Sequence, residues 1–412
     1  MLATLIFNSF FAAYIVRLFN MRFILPLVAS LPWAVTATAL ELQPNRTHPE
    51  LPRLMLYFQT THDAAGRPIS LLPLVHKQHI ALTHLIVAAF HINPNGTIHL
   101  NDHPPSHPRY STLWTETRIL QSSFTNTSDG SGGVKILGML GGAAPGSFAA
   151  NTLDAAADDD TETAGPAAAF ERSYALLRET VRAHKLDGVD LDVEEPMTLR
   201  GIVRLVRRLR ADFGPRFVIS LAPVAAALVG RQERRGRWGN NLSGFDYGVL
   251  ERAVGEEVAF YNAQFYNGFG GMGDTRLFDA IVAEGWEPER IVIGQLTSPE
   301  HGGGFVKHGQ FGRTVKALRR RYGEIGGVVG WEYFNAVPGG INEPWKWAES
   351  MTKILRPEKK PILHITKKMA EMLTRAWMVS AAEGRGSRFM TAERWIEPEP
   401  NVDYPAMVNA EE

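Results

Sequence analysis

The sequence predicts an α/β protein with the (β/α)8 architecture of a TIM barrel, followed by a C-terminal helical arm. Eight short segments rich in β-branched or aromatic residues have the pattern of strands, and helical patterns lie between several of them. The strand segments are almost continuously apolar, which is typical of parallel strands covered on both faces. A closed barrel is the simplest arrangement of eight such units because it leaves no exposed sheet edge, and a doubly wound open sheet is the alternative.

The strands and helices follow from hydrophobic periodicity. Apolar residues recur on one helical face in Phe170–His184 and in Thr198–Phe213, and shorter segments near Phe278–Glu284, Thr314–Tyr322 and Glu343–Leu355 also fit helices. The eight predicted strands are Arg53–Thr61, Thr83–Ile92, Val134–Gly142, Leu186–Glu194, Phe217–Val224, Val258–Asn267, Arg290–Thr297 and Gly326–Phe334.

Three stretches interrupt this pattern. Ser122–Gly133 is rich in small polar residues, Asn151–Gly165 carries five acids and no base, and Gly230–Asn240 carries four arginines. We interpret all three as solvated loop insertions. The last two follow the third and fifth predicted strands, so in a barrel they would lie on the catalytic rim and could contact a ligand there.

The overall composition excludes several classes of protein. The 412 residues include 43 Lys and Arg against 43 Asp and Glu, and no cysteine. A net charge of zero argues against nucleic-acid binding, which usually requires a basic domain. The absence of cysteine excludes disulfide scaffolds, thiolate catalysis and cysteine-ligated metal sites.

The first 39 residues are predicted to be a secretory signal peptide. From Met21 the chain has a positive start at Arg22, an apolar stretch over Phe23–Val35, and an A-x-A cleavage pattern at Ala37 and Ala39. We favour Met21 as the true start, and the alternative is a signal-anchor formed by the whole segment. Four Asn-x-Ser/Thr sequons give modest support to export, at Asn45, Asn95, Asn126 and Asn241.

The remaining chain divides into three predicted regions. Residues 40–52 form a polar linker, residues 53–356 the barrel, and residues 357–412 a C-terminal extension with one amphipathic helix over Thr366–Glu383. Beyond the leader no stretch reaches 18 consecutive apolar residues, so we expect a soluble mature protein without a membrane span. We also expect it to be secreted, as the leader indicates, and monomeric.

The most informative segment is Asp187–Glu194, with the sequence DGVDLDVE. Strand periodicity places Asp190, Asp192 and Glu194 on one face, towards the lumen, and the intervening apolar residues towards the helices. Neighbouring carboxylates in such a row are about 6.6 Å apart along the strand. They cannot all ionise in a confined site, so we expect a shared proton and a raised pKa, as a general acid needs. Glu194 lies nearest the active-site end of the strand.

Other candidates end neighbouring strands. Gln264 and Tyr266 share one face of the sixth strand, where a tyrosine can donate a hydrogen bond to a substrate carbonyl. Trp331 ends the eighth strand and could form an aromatic platform under a sugar, and Gly141 and Gly142 end the third and permit close backbone approach. Taken singly, each could instead be structural, as a buried tyrosine, a core tryptophan or a plain turn.

These motifs resemble glycoside hydrolase family 18. LDGVDLDVE is similar to its D-G-x-D-x-D-x-E signature, Gln264–Asn267 to its strand-six tyrosine motif, and Trp331 to its strand-eight tryptophan. Tyr57 and Phe90 fall where its first two strands carry aromatics, and the resemblance covers about Leu54–Leu355. The segments LYFQTTHD, GMLGGAAPGSF, WEYFNAVPGG and DYPAMVNA look most like secreted fungal endo-β-N-acetylglucosaminidases, which cleave the chitobiose core of N-glycans.

The resemblance implies a retaining, substrate-assisted mechanism with no metal and no cofactor. Glu194 would protonate the glycosidic oxygen and later serve as base for water, while the substrate's own 2-acetamido oxygen attacks the anomeric carbon. Asp192 would orient the acetamido group, and Tyr266 would hold its oxygen. The implied substrate-binding residues are Asp190, Gln264, Trp331, Tyr57, Gly141 and Gly142.

The resemblance leaves open which β-linked GlcNAc substrate is cleaved. The main expectation is the GlcNAc-β-1,4-GlcNAc core of high-mannose N-glycans, and the alternative is chitin oligosaccharides. A non-catalytic lectin on the same barrel is a third interpretation, against which the presence of the acid argues. One departure is Met139, because the family's strand-three motif usually has serine at this position.

Overall fold

The computed structural model describes residues 51–77, 79–125, 133–155, 166–230, 241–358, 363–364 and 375. The predicted signal peptide, most of the linker, most of each of the three insertions and all but one residue of the predicted C-terminal helix lie outside them. The described part contains eleven strands: β1 (Arg53–Phe58), β2 (His84–Asn93), β3 (Thr97–Leu100), β4 (Phe124–Thr125), β5 (Lys135–Gly141), β6 (Gly188–Asp192), β7 (Val218–Leu221), β8 (Phe260–Gln264), β9 (Ile291–Leu296), β10 (Gly327–Trp331) and β11 (Leu363–His364).

Eight parallel strands close into a barrel. They pair in the order β1-β10-β9-β8-β7-β6-β5-β2, and β2 pairs with β1 to complete the ring. The predicted (β/α)8 fold is therefore confirmed, and closure excludes the doubly wound alternative. The other strands lie outside the ring: β3 pairs antiparallel with the end of β2, and β11 pairs with β4.

Helices alternate with the barrel strands: α1 (Pro73–His76), α2 (Ser111–Gln121), α3 (Pro166–Ala183), α4 (Leu199–Phe213), α5 (Tyr247–Val254), α6 (Arg276–Ala283), α7 (His308–Tyr322) and α8 (Trp345–Leu355). Helix α4 shows how the sequence sets their ends. The Thr198 hydroxyl accepts a hydrogen bond from the Gly201 N–H at its start, and Gly214 follows its last residue with a φ of 76°. No described helix is both long and apolar enough to span a bilayer.

Helices α1, α2 and α5 were not predicted. Helix α1 has only four residues, too few to show a helical period. The buried face of α2 includes the polar residues Glu116 and Thr117, which obscure its apolar periodicity. Helix α5 has only eight residues, too few for its three buried apolar side chains to form a clear pattern.

Alternation along the strands separates two cores. Val189 and Leu191 of β6 lie in the larger core between barrel and helices. The lumen has its own apolar cluster, which includes Met55, Leu137 and Phe260. This cluster occupies the lumen beside the buried end of the polar row of β6.

Glu116 is a buried carboxyl in the helix layer. Its side-chain oxygens accept hydrogen bonds from the Leu71 N–H at 2.6 Å and the Ser70 hydroxyl at 2.9 Å. Burial nevertheless raises its pKa from 4.5 to about 7. The native state therefore binds this proton more tightly than the unfolded chain does.

We predict that Glu116→Gln flattens the pH dependence of stability. The stabilisation of the native state by this proton is fully present below about pH 4.5, and it is lost as the pH rises through about 7. Over that window the wild type should lose about 3 kcal/mol of unfolding free energy relative to the variant. Urea unfolding at several pH values measures this difference, and parallel curves for the two proteins would contradict the prediction.

Candidate active site

Strand β6 carries a row of carboxylates into the barrel lumen. Asp190 is fully buried, Asp192 is 6% exposed, and Glu194, two residues beyond the strand, is partly exposed. The row therefore rises from the interior to the face formed by the carboxyl ends of the strands, which is the catalytic face of such barrels.

Asp190 is held by three donors from three other strands. The Tyr57 hydroxyl of β1 donates to one carboxylate oxygen at 2.6 Å. The Ser220 hydroxyl of β7 and the Asn262 amide of β8 donate to the other oxygen at 2.7 and 2.9 Å. A carboxylate removed from water needs such partners, since an unpaired buried charge is costly.

Gln264, the last residue of β8, joins the other two acids. Its Nε2 lies 3.1 Å from Asp192 Oδ1 and 3.0 Å from Glu194 Oε1, and it also lies 3.1 Å from the Ala222 carbonyl. One amide group therefore fixes the buried acid and the partly exposed acid relative to each other.

The electrostatics favour a proton deep in the row. Burial raises the pKa of Asp190, although its three donors oppose this. Burial raises the pKa of Asp192 well above its usual value, and the charges of Glu194 and Asp190 add to the effect. Loss of solvation at the two aspartates is therefore the main cause that favours their neutral forms. The shared proton expected for the row stays a prediction.

Tyr266 follows β8 and is almost completely buried. Burial and the negative charges of Asp192, Glu194 and Asp190 raise the pKa of its hydroxyl well above 10. The phenol is therefore a neutral hydrogen-bond donor throughout the ordinary pH range. Trp331, at the end of β10, is partly exposed, and its ring centroid lies 5.2 Å from that of Tyr57.

Gly141 and Gly142 bring the end of β5 against β6. Their φ angles are 100° and 92°, values that favour glycine. A Cβ at Gly141 would lie 2.3 Å from the Asp192 carbonyl oxygen, and the Gly142 N–H donates to that oxygen at 2.9 Å. The two glycines thus support the backbone of the acid row.

Met139 and Phe90 occupy different cores. Met139 lies in the lumen cluster, paired in register with Asp190, and offers that carboxylate no hydroxyl. Phe90 packs in the outer core instead, because the β2–β5 register shifts between Val87 and Phe90. Such a shift reverses the face to which the following residues point.

Two of the donors to Asp190, Ser220 and Asn262, were not among the predicted site residues. A signal for them existed, because each lies two residues before a lumen-facing position, Ala222 or Gln264, in an otherwise apolar strand. Glu332 was not predicted either. Its carboxylate accepts hydrogen bonds from the Gln59 and Thr60 N–H groups and links the end of β10 to β1. Among the described residues, no group of three or more His, Asp or Glu side chains is arranged to hold a metal ion.

We predict that position 139 is required for packing. Met139→Ser should lower the unfolding free energy by about 2–5 kcal/mol because it empties part of the lumen core. The control Met139→Leu nearly conserves volume and should cost less than about 1.5 kcal/mol. Urea unfolding measures both. A serine variant as stable as the wild type would indicate that its hydroxyl replaces the lost packing with a hydrogen bond.

The chain is similar to solved structures of known glycosidases. A fungal endo-β-N-acetylglucosaminidase of glycosyl hydrolase family 18 is 51% identical, with 75% of this chain and 100% of that chain covered and a TM-score of 0.67. A chitinase from Aspergillus fumigatus is 46% identical, with 73% and 98% covered and a TM-score of 0.60. A family 18 chitinase from Pseudoalteromonas aurantia, 18% identical over 74% of this chain and 100% of its own, shares the fold with a TM-score of 0.54.

Neither a protein-family model nor a curated protein matches the chain. The identity of 51% nevertheless extends over the full length of a family member, and the chain has the same closed barrel. The protein is a glycosidase and belongs to glycoside hydrolase family 18.

Proposed function

We propose that the protein is a secreted endo-β-N-acetylglucosaminidase. It cleaves GlcNAc-β-1,4-GlcNAc in the core of high-mannose N-glycans and leaves one GlcNAc on the glycoprotein. The observation that carries the chemistry is the row of Asp190, Asp192 and Glu194, linked at its outer end by Gln264. The choice of substrate is supported by the similarity to a fungal endo-β-N-acetylglucosaminidase.

The proposed reaction begins with proton transfer from Glu194, the member of the row that solvent can reach. Its proton passes to the glycosidic oxygen as the bond from that oxygen to the anomeric carbon breaks. The 2-acetamido oxygen of the substrate forms the new bond to the anomeric carbon and gives an oxazolinium ion. Water then attacks that carbon, Glu194 takes its proton, and the acetamido group is restored.

Asp192 and Tyr266 act on the acetamido group. The carboxylate of Asp192, in its ionised form, orients the acetamido N–H and stabilises the positive charge that develops there. The phenol of Tyr266 stays protonated and donates a hydrogen bond to the acetamido oxygen. Because both side chains are almost fully buried, these interactions act with little screening by water.

The remaining site residues position the acids and the sugar. Asp190 lies behind Asp192, and its three donors keep its carboxylate in place. Gln264 orients Asp192 and Glu194 together. Trp331 forms the floor of the sugar subsite, and its ring is supported by Tyr57.

A chitinase is the second candidate, favoured by the 46% identity to the Aspergillus fumigatus enzyme. The same residues would act on a GlcNAc unit of chitin. To distinguish the two, purified protein is incubated separately with a high-mannose glycoprotein and with chitin oligosaccharides, and the products are weighed by mass spectrometry. Loss of the glycan except for one GlcNAc supports the proposal. Faster release of chitobiose from chitin selects the chitinase, and binding without turnover of either substrate selects a lectin.

We predict that Glu194→Gln abolishes turnover while fold and glycan binding persist. The change is isosteric but removes the transferable proton, so kcat should fall by about 10²–10⁴-fold or more. The matched control is Glu116→Gln, the same substitution at a buried glutamate in the helix layer, which should retain activity. Near-normal hydrolysis by Glu194→Gln would place the acid elsewhere.

We predict that Gln264→Met shifts the acidic limb of the activity profile to higher pH. The Gln264 hydrogen bond lowers the pKa of Asp192, so its loss raises that pKa and protonates Asp192 at a higher pH. Activity of the wild type should peak at mildly acidic pH, and kcat of the variant should fall by about 10–100-fold, the value of a hydrogen bond to a charged group.

The matched control for Gln264→Met is Gln295→Met. Gln295 is also buried, lies on the neighbouring strand β9 and donates to the Gly294 carbonyl rather than to an acid. Its variant should keep the wild-type pH profile. An unshifted acidic limb in Gln264→Met would contradict the role given to Gln264.

A further inference from the structure

Two sequons lie within the described residues, and their surroundings are opposite. Asn95, with Thr97, occupies the tip of the β2–β3 hairpin, where Pro94, Asn95 and Gly96 are all exposed. Asn241, with Ser243, lies between β7 and α5 and is only partly exposed.

The side chain of Asn95 leaves its amide nitrogen available. Its Oδ1 accepts hydrogen bonds from the Thr97 hydroxyl at 2.7 Å and from the Thr97 N–H at 3.2 Å. The Thr97 hydroxyl in turn accepts from the Asn93 amide at 3.1 Å. The Asn95 Nδ2 makes no hydrogen bond to any described residue, and the exposed turn leaves space around it.

We propose that Asn95 carries an N-linked glycan, whereas Asn241 remains unmodified. The inference rests on the proposed export, since such glycans are added to exported chains. The donor is an oligosaccharide linked to a polyprenyl diphosphate. The Asn95 Nδ2 forms a bond to the anomeric carbon of its first GlcNAc, the bond from that carbon to the diphosphate oxygen breaks, and the diphosphate leaves with the bonding electrons. A base of the transferring enzyme takes one amide proton.

Asn241 is built into the fold instead. Its Nδ2 donates to the Phe245 carbonyl, and its Oδ1 accepts from the Ser243 N–H at 2.9 Å. Ser243 is 2% exposed, and its hydroxyl bonds to the Val193 carbonyl at 2.7 Å and to the Tyr247 hydroxyl at 2.8 Å. These bonds hold the loop against the backbone immediately before Glu194.

A glycan on Asn241 would therefore have to disturb the turn that Asn241 forms with Phe245. The glycan is transferred to the chain before it folds. The native structure therefore determines which of the modified molecules can complete folding and be exported. Molecules with a glycan at Asn95 fold without obstruction because the turn points to solvent. Molecules with a glycan at Asn241 lose contacts in a partly buried loop, and the polar groups left without partners there destabilise the fold.

The Asn95 glycan also lies on the catalytic face. The hairpin extends from the carboxyl end of β2, and the carboxyl ends of parallel strands share the face to which Glu194 rises. The glycan is of the class that the proposed activity cleaves, so the chain can trim it to one GlcNAc. For this reason a complete glycan and a single GlcNAc both count as modification, and the outcome at Asn95 does not depend on the glycosidase activity.

The test uses the full chain, produced in a fungal host and recovered from the culture medium. Peptide mass spectrometry should find a glycan or a single GlcNAc at Asn95 in most molecules and none at Asn241. Thr97→Val should abolish the modification, and the matched variant Thr97→Ser, which keeps a hydroxyl, should retain it. Both variants should hydrolyse substrate at the wild-type rate, which shows that they fold.

Three results would overturn the proposal: unmodified Asn95 in the recovered protein, a glycan at Asn241 in folded protein, or no protein in the medium. The Glu194→Gln variant, produced in the same way, distinguishes failure of the glycosylation proposal from failure of the proposed function. If the glycosidase proposal alone is correct, digestion of an external glycoprotein persists while Asn95 is bare. If the glycosylation proposal alone is correct, Asn95 carries the same complete glycan in the wild type and in the Glu194→Gln variant.

Discussion

The structure depends on keeping two carboxylates inside a barrel, away from bulk water, next to a third that is partly exposed. Asp190 and Asp192 are buried at a strand that is apolar on its other face, and isolated charges in such a place would not be tolerated. Their hydrogen-bond donors come from β1, β7 and β8. Ring closure brings Tyr57 of β1 and Asn262 of β8 to the same carboxylate, that of Asp190. Tyr57 and Asp190 are 133 residues apart in the sequence, so no local structure could join them. The buried aspartates therefore depend on the closed barrel for the hydrogen-bond donors that stabilise them.

The barrel also gives the three acids different surroundings. The deep pair lies where burial raises the pKa values of both aspartates, because the charged form loses solvation there. Glu194 is partly exposed, and in the proposed reaction substrate and water reach it there. Gln264 contacts both the buried Asp192 and the partly exposed Glu194. The two glycines at the end of β5 allow the backbone of that strand to donate a hydrogen bond to the Asp192 carbonyl. Met139 fills the lumen beside Asp190, and the donors to that carboxylate are placed on other strands.

Much of this was predictable from local patterns. Alternation in Asp187–Glu194 predicted which side chains face the lumen, and the eight predicted strands are those of the barrel. Long-range contacts were not predictable in the same way. Alternation along β7 and β8 places Ser220 and Asn262 in the lumen, but it does not indicate that both reach Asp190. Phe90 faces the outer core because of a register shift that depends on the neighbouring strand. The signal peptide and the C-terminal helix remain predictions.

The central claim is that the acetamido group of the substrate, and not a water molecule, attacks the anomeric carbon first. Two successive displacements at that carbon retain configuration, whereas one direct attack by water inverts it. The most direct measurement is proton NMR of the reducing end formed in the first moments of glycan cleavage, before the anomers equilibrate. Our account predicts that the β-anomer is released first. Initial release of the α-anomer would contradict it.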